Sequence, residues 1–237
     1  MAFCREARIL FKAGKERDGY FDSKALLDQV DCAIDIFEER TNKFATGLFL
    51  FDNAPSHKKR TDNALSALRM PKGPSKGWTN RKGGAKMRST FLPNGEIQDL
   101  YYPEDLPENH PDYEKRSWFK GMEQIIRERG LWPASGLYAQ CEGFKCPPGH
   151  TDCCCRRILF SQPDFVNQKS ALEELITRRG HLIDFYPKYH CETNYIEMWW
   201  GAGKLNYRSL PQPSTIAEME RNIIRSLDSV PLLNIRR

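Results

Sequence analysis

The sequence predicts an α/β domain that is interrupted by a long irregular insertion. Two short apolar segments, 47–51 and 181–187, have the composition of buried strands, and helical periodicity recurs beside both of them. Between them, from about 58 to 116, regular periodicity disappears while glycine and proline recur. With 237 residues, of which 40% are hydrophobic, the chain is long enough to bury a core.

The N-terminal part of the chain predicts a strand, a helix and a second strand. Residues 6–12 are expected to form a short strand, and the GKERDGYF segment that follows is expected to form a turn. A helix is expected from Asp22 or Ser23, either of which can cap it, to about Glu39, because apolar residues recur at helical spacing. The continuous apolar run 47–51 is typical of a central strand covered on both faces.

The C-terminal part predicts helices around one more buried strand. The expected elements are a short helix at 117–129, a helix at 164–179 ended by Gly180, a strand at 181–187 broken at Pro187, and helices at 194–207 and 214–228. The last helix is amphipathic, and its expected inward residues are Ile216, Met219, Ile223, Ile224 and Leu227.

This order of elements divides the chain into three parts. Residues 1–57 and 161–237 are expected to build the α/β domain, and residues 58–160 to form the insertion. The insertion contains too many large aromatic residues for a disordered linker, so we expect it to be folded.

A basic window inside the insertion carries all of the excess positive charge. Residues 58–90 hold ten Lys or Arg and one acid, so their net charge is +9, whereas the rest of the chain has −4. Such a block attracts nucleic acid by releasing counterions, and a solvated loop kept soluble by its charge is the open alternative. The candidate DNA-binding residues are Lys58, Lys59, Arg60, Lys72, Lys76, Trp78, Arg81, Lys82, Lys86 and Arg88, with Trp78 as the base-stacking ring.

Five of the eight cysteines crowd into residues 141–155. In a chain without a secretory signal, such crowding favours a metal site over disulfides. The spacing of Cys141, Cys146, His150 and Cys153 can close a tetrahedral zinc site, with Cys154 or Cys155 as a replacement ligand. The alternative is that adjacent cysteines are small buried apolar side chains without metal.

Two acidic residues occupy comparable places beside the two apolar segments. Asp52 directly follows the run 47–51, and Glu197 lies in the first turn of the helix that follows strand 181–187. Carboxylates that converge at the carboxyl ends of strands repel each other unless a cation intervenes, and two Mg²⁺ or Mn²⁺ ions would let them act on a phosphodiester. The open alternatives are that Asp52 and Asn53 turn the chain, and that Asn194 and Glu197 form a capping box.

The same residues resemble two motifs of the DDE transposases, specifically the mariner-like DDE superfamily endonucleases of fungal genomes. LFLFDNAPSHKK resembles the strand-end motif, in which Asp52-Asn53 is followed by His57. NYIEMWW resembles the helix motif, in which Asn194 precedes the catalytic Glu197 and Trp199 follows it. The resemblance covers nearly the whole chain and implies an RNase H-like fold, a pair of divalent metal ions and cutting or joining of DNA strands, with Asp52 and Glu197 as catalytic metal ligands.

The resemblance fails at one place, since the family needs a first Asp on a strand before the helix that starts near residue 22. Asp18 lies in a turn, and the next acids belong to the helix. We therefore expect a copy cut short at its N terminus and impaired in catalysis. The alternatives are a non-catalytic, zinc-stabilised nucleic-acid-binding protein derived from a transposon, and an inert fragment.

The expected partner and location follow from the resemblance and the charge. DNA is the expected partner and the nucleus the expected location, with homodimerisation left open. No segment has the length of apolar residues that crosses a bilayer, and no signal peptide is recognisable, so a membrane is not an expected partner.

Overall fold

The computed structural model describes residues 6–92, 94–231 and 233. The fold is mixed α/β, and the chain divides into two compact units. Unit 1 consists of the residues up to Lys59 together with those from Ala171 onward, and unit 2 consists of Arg60–Ser170. Unit 2 begins close to residue 58, the expected start of the insertion, and ends ten residues after its expected end at residue 160.

The helices and strands are short in unit 2 and longer in unit 1. In chain order they are α1 (Ser23–Arg40), β1 (Leu48–Phe51), β2 (Thr90–Phe91), β3 (Ile97–Gln98), α2 (Met122–Glu128), α3 (Cys155–Phe160), α4 (Pro163–Val166), α5 (Ala171–Arg178), β4 (Leu182–Phe185), α6 (Tyr195–Arg208) and α7 (Ile216–Asp228). Single turns of 3-10 helix cover Tyr113–Lys115, Glu142–Phe144 and Cys191–Thr193.

Unit 1 is built on a pair of parallel strands. β1 lies beside β4, with Leu48 opposite Leu182 and Phe51 opposite Phe185. The inner face of this pair packs against the core formed by α1 and α5, whose buried residues are Leu26, Val30, Ile34, Leu172, Leu175 and Ile176. Parallel strands have their carboxyl ends at the same edge, so the chain leaves both strands side by side.

The outer face of this strand pair corrects one expectation. Leu48 is 59% exposed and Leu182 is 58% exposed, so β1 is not a central strand covered on both faces. Its apolar sequence predicted burial on two sides, but in the described part of unit 1 helices cover one side only.

The expected strand at 6–12 is also wrong. These residues have no regular secondary structure and pair with no strand in the described part of the chain, because their side-chain and backbone bonds go largely to helices. Gln29 donates to the Ala7 carbonyl oxygen at 2.8 Å, and Arg8 pairs with Asp228 at 2.6 Å. The expected turn after this segment is confirmed, closed by a bridge between Gly14 and Gly19.

The long helix expected at 164–179 is broken into α4 and α5. The backbone N–H of Ala171 donates to the Lys59 carbonyl oxygen at 2.9 Å instead of continuing a helix begun at Pro163. Gly180, with a φ of 78°, ends α5 as predicted.

In α7 the predicted inward positions Ile216 and Met219 are 60% and 37% exposed.

Unit 2 has a core of its own, although it contains little regular structure. Its fully buried side chains include Phe119, Ile125, Ile126 and Leu159. Trp78 packs on Phe119 with ring centroids 4.1 Å apart. The irregular segments are thus held by aromatic packing, which is why the aromatic residues of the insertion predicted order.

A buried ion pair connects the β2–β3 hairpin, α2 and α4 within unit 2. The guanidinium of Arg129, whose side chain is 2% exposed, donates to both carboxylate oxygens of Asp164, at 3.0 and 2.7 Å, and to Gln98 at 2.8 Å. Thr90 also donates to Asp164. Burial alone would raise the pKa of Asp164, but the hydrogen bonds from Arg129 and Thr90 outweigh it and the pKa lies below its ordinary value.

Candidate functional site

The two predicted acids lie at the common carboxyl edge of β1 and β4. Asp52 follows β1, and Glu197 lies in the first turn of α6, which the chain reaches after leaving β4. Both side chains line one cavity of about 400 Å³. The other lining residues are Asn53, Ala54, Pro187, Lys188, Tyr189, His190 and Asn194. Parallel pairing of the strands is therefore what brings together two residues that are far apart in sequence.

Asp52 is anchored at the end of its strand. Its Oδ1 accepts from the Ala54 N–H at 2.9 Å and lies 2.6 Å from Nδ1 of His57. Asn53 donates to the Tyr186 carbonyl oxygen and so ties the ends of the two strands together. Asp52 and Asn53 therefore turn the chain at the end of β1, as one of the two alternatives predicted. His57 is a turn histidine that is hydrogen-bonded to Asp52. Half of the Asp52 side chain remains exposed, so its second oxygen stays available to a ligand.

Glu197 has a different environment. Asn194 precedes α6 as its N-cap but makes no side-chain capping bond, so the capping-box alternative is not formed. The backbone N–H of Glu197 donates to the Asn194 carbonyl oxygen at 3.0 Å. The Glu197 side chain is exposed, and within the described ranges its carboxylate has no hydrogen bond or ion pair.

The turn that leads into α6 is held by its own polar residues. Nδ1 of His190 lies 2.6 Å from the Glu192 carboxylate, and the His190 carbonyl oxygen accepts from Oγ1 of Thr193 at 2.7 Å. The hydrogen bond with His190 lowers the pKa of Glu192. Glu192 therefore positions the turn.

A second, larger cavity of about 730 Å³ adjoins Asp52 and Glu197 inside unit 1. It is lined mainly by apolar residues of α1, β1 and α6, and Asp52 and Glu197 are the carboxylates among the described residues that line it. Four of the upstream acids are engaged elsewhere. Asp18 accepts from the Lys12 N–H, Asp22 caps α1, and Asp31 and Asp35 pair with Arg179. In the residues that the structure describes, no third carboxylate joins the pair.

A second candidate site, in unit 2, is a cluster of four cysteine sulfurs. Cys141, Cys146, Cys153 and Cys154 place their Sγ atoms within 4.8 Å of one another. The Sγ atoms of Cys141 and Cys153 are 3.5 Å apart, and those of Cys146 and Cys154 are 3.9 Å apart. Four thiolates around Zn²⁺ at about 2.3 Å would lie about 3.8 Å from one another. The cluster can therefore bind a metal ion such as zinc.

The structure corrects the predicted ligand set at one position. His150 is exposed and its Nδ1 lies 4.0 Å from the Asp152 carboxylate, whereas Cys154, the N-cap of α3, joins the sulfurs. Cys155 is fully buried in the core of unit 2. The two adjacent cysteines diverge because Cys154 is extended while Cys155 begins the helix, so one points to the cluster and the other to the core.

Arg157 is a residue of this cluster that sequence reasoning missed. Its hydrogen bond lowers the pKa of Cys146 to about 7, whereas hydrogen bonding to Cys153 raises the pKa of Cys141 to about 12. A guanidinium beside a thiolate offsets part of the negative charge that four thiolates bring to a divalent ion. The signal in the sequence is an arginine within one helical turn of the cysteine run.

Most residues of the basic window are engaged in local contacts. Within unit 1, Lys58 lies 4.7 Å from the centroid of the Phe185 ring, and Lys59 donates to Ser23 at 2.6 Å. Within unit 2, the contacts are Arg60 with the Leu65 carbonyl oxygen, Lys72 with Glu123, Arg81 with Asp62, Lys86 with the Tyr101 ring, and Arg88 with Thr61 and Asn63. Trp78, the predicted stacking ring, is partly buried against Phe119.

Among the predicted DNA-binding residues, two remain without such contacts. Lys76 and Lys82 are exposed, and neither forms an ion pair with a described residue. They are the predicted DNA-binding cations best placed to meet a phosphate, because binding them to DNA breaks no existing bond.

The search for membrane-spanning helices among the described residues and the search for similar proteins both found nothing. In the part of the chain that the structure describes, no helix combines the length and the apolar character needed to cross a bilayer. Comparisons with protein-family models, with curated proteins and with solved structures found no match to this chain.

Proposed function

We propose that this chain is a DNA-binding domain of the DDE transposase type, with an RNase H-like unit 1, that retains two of three acids and is impaired in catalysis. One observation carries this proposal. Asp52 and Glu197 are 145 positions apart in the sequence, yet both line one cavity at the shared carboxyl edge of two parallel strands. That is the edge at which α/β sheets collect their functional side chains.

The donor set at this cavity fits one divalent ion better than two. Asp52 has one carboxylate oxygen committed to His57 and Ala54, and Glu197 has no partner among the described residues. Two carboxylates with water can hold a single Mg²⁺ or Mn²⁺. Such an ion would supply Lewis acidity toward a phosphodiester. Holding a second ion needs further oxygen ligands, and the described lining residues offer no third carboxylate.

The test measures Mn²⁺ binding and DNA nicking on the full chain. Calorimetry is expected to show one weak Mn²⁺ site that Glu197→Gln removes. Glu192→Gln is the matched control, because Glu192 lies in the turn just before α6 but does not line the cavity. Supercoiled DNA should be nicked slowly or not at all. Mn²⁺ binding that is equal in both variants would refute the site.

One result of the nicking assay would support the site and contradict the proposed impairment of catalysis. Efficient nicking of supercoiled DNA that disappears in Asp52→Ala would show that the site is right and that the impairment is wrong. The reason for expecting impairment is that two-ion catalysis stabilises both the attacking and the leaving oxygen, and one ion can do this for only one of them.

A second candidate function is that of a non-catalytic, zinc-stabilised nucleic-acid-binding protein, and the four-cysteine cluster favours it. A unit with little regular structure gains stability from a bound ion, because the binding free energy adds to folding. Elemental analysis is expected to find one zinc per chain, which Cys141→Ser with Cys146→Ser removes and His150→Ala retains. Zinc loss in His150→Ala, or a folded protein without zinc, would contradict this ligand set.

DNA binding, common to both candidates, has its own test. Binding of a DNA duplex to the full chain should weaken with salt. Lys76→Gln with Lys82→Gln should reduce the slope of log K against log[salt] by about 2, because each phosphate that a lysine neutralises adds about 0.9 to that slope. Arg81→Gln is the control, since Arg81 is paired with Asp62. An unchanged slope would exclude Lys76 and Lys82 as phosphate contacts. A nuclear location is proposed on the strength of this partner.

A further inference from the structure

The loop between the cysteines displays an aromatic ring in an unusual backbone conformation. Phe144 is 60% exposed and has a φ of 62°, in the left-handed region that bulky residues rarely adopt. It belongs to neither hydrophobic cluster of the described chain. A strained residue that buries little surface is held in place by its surroundings, and such strain gathers at functional sites.

Two interactions hold Phe144 in that position. The guanidinium of Arg156 lies 4.7 Å from the centroid of the Phe144 ring and donates to the Phe144 carbonyl oxygen at 3.3 Å. The loop on both sides is tied down by Cys141 and Cys146, whose sulfurs join the cluster. The cation and the sulfurs together fix the ring at the surface.

A second exposed ring belongs to a segment that is hydrogen-bonded to the start of α3. Tyr138 is 84% exposed, and its carbonyl oxygen accepts from the Cys155 N–H at 3.0 Å. The next backbone bond joins Arg156 N–H to the Ala139 carbonyl oxygen at 3.1 Å, so Arg156 bonds both to the neighbour of Tyr138 and to the backbone of Phe144. Lys145 is exposed beside Phe144 and forms no ion pair with a described residue.

We propose that this loop, residues 138–157, binds single-stranded nucleic acid, with bases stacked on Phe144 and Tyr138 and the phosphates against Lys145 and Arg156. Exposed rings interleaved with cations suit single strands, because the faces of unpaired bases are accessible while those of a duplex are stacked inside. The inference rests on the nucleic-acid binding proposed above. It assigns single strands to the cysteine loop, whereas residues 58–90 are the proposed site for a duplex.

The test uses fluorescence polarisation of a labelled oligothymidylate and of a labelled duplex of equal length, with the zinc-loaded full chain at low salt. Phe144→Leu keeps the apolar volume and removes the ring, so binding of the single strand should weaken about fivefold or more, while duplex binding changes little. Phe144→Trp should restore single-strand binding. Phe91→Leu is the matched control, since Phe91 is 62% exposed in the same unit on β2.

The outcomes separate this inference from the proposal on which it rests. Full-strength binding of the oligothymidylate by Phe144→Leu, or equal weakening by Phe91→Leu, would overturn the loop as the platform and leave duplex binding through residues 58–90 intact. A wild-type chain that binds neither probe would overturn both. Zinc content is measured in every variant, so that a loss of binding through a loss of metal is recognised as such.

Discussion

Replacing Asp164 by Asn should destabilise unit 2 more strongly than any other single charge removal in that unit. The substitution keeps the shape of the side chain but removes its charge, so the guanidinium of Arg129, with 2% of its side chain exposed, is left unpaired in the interior. Removing one partner of a buried ion pair costs about 3–5 kcal/mol. A domain of this size has a total stability of roughly 5–15 kcal/mol, so a large part of it would be lost.

Urea unfolding of the full chain, followed by tryptophan fluorescence, measures this loss. The matched control is Asp62→Asn, which removes an acid from the exposed pair with Arg81, whose side chain is 49% exposed, and should cost less than about 1 kcal/mol. A second variant combines Arg129→Met with Asp164→Leu. This apolar pair should recover most of the stability, because the penalty lies in the unpaired charge.

Two results would refute this reasoning. One is an Asp164→Asn protein within about 1 kcal/mol of the wild type, which would mean that solvent reaches Arg129. The other is a double variant as unstable as the single one, which would mean that the shape of the network and not its charge holds the hairpin to the helices.

Three further predictions follow from the packing and the charges. Gly121→Ala should lower the free energy of unfolding by roughly 3 kcal/mol or more, since an added Cβ would lie 2.4 Å from the carbonyl carbon of Gly73. Gly130→Ala is the control, because φ is also positive there but the space around it is open, and it should cost about 1 kcal/mol in the same urea assay. Arg179→Met should destabilise unit 1 by about 1–2 kcal/mol, because three carboxylates of α1 lose their common partner, and added salt should narrow the difference. The pKa of Asp164 is lowered in the folded state, so its ionised carboxylate stabilises the fold at pH values above 3.8, its ordinary pKa. This contribution is lost as the pH falls through the folded-state pKa. The thermal unfolding temperature of Asp164→Asn should therefore depend less on pH in that range than that of the wild type.

Local signals in the sequence were sufficient for most elements of unit 1. Asp22 caps α1 as predicted, with its carboxylate accepting from two backbone N–H groups, and the apolar runs became β1 and β4. The failures have long-range causes. Residues 6–12 have strand propensity, but their hydrogen bonds go to Gln29 and other helix residues, and no local pattern records that choice.

The candidate sites show the same division between local and long-range information. That Asp52 and Glu197 share a cavity could be predicted, because chain direction alone decides which ends of parallel strands meet. Which of the two replacement ligands, Cys154 or Cys155, takes the place of His150 could not be predicted, since it depends on where α3 begins. The pairing of Arg129 with Asp164 joins two segments that have no sequence signal in common, and only the packed core makes it necessary.

The backbone bond between Ala171 and Lys59 has a practical consequence for dissecting the molecule. With those two residues within hydrogen-bond distance, a short glycine-containing turn could join them directly and excise everything from 60 to 170. The shortened polypeptide would keep both acids of the cavity and none of the clustered thiols, so divalent-ion binding and thiol chemistry could be assigned to separate proteins.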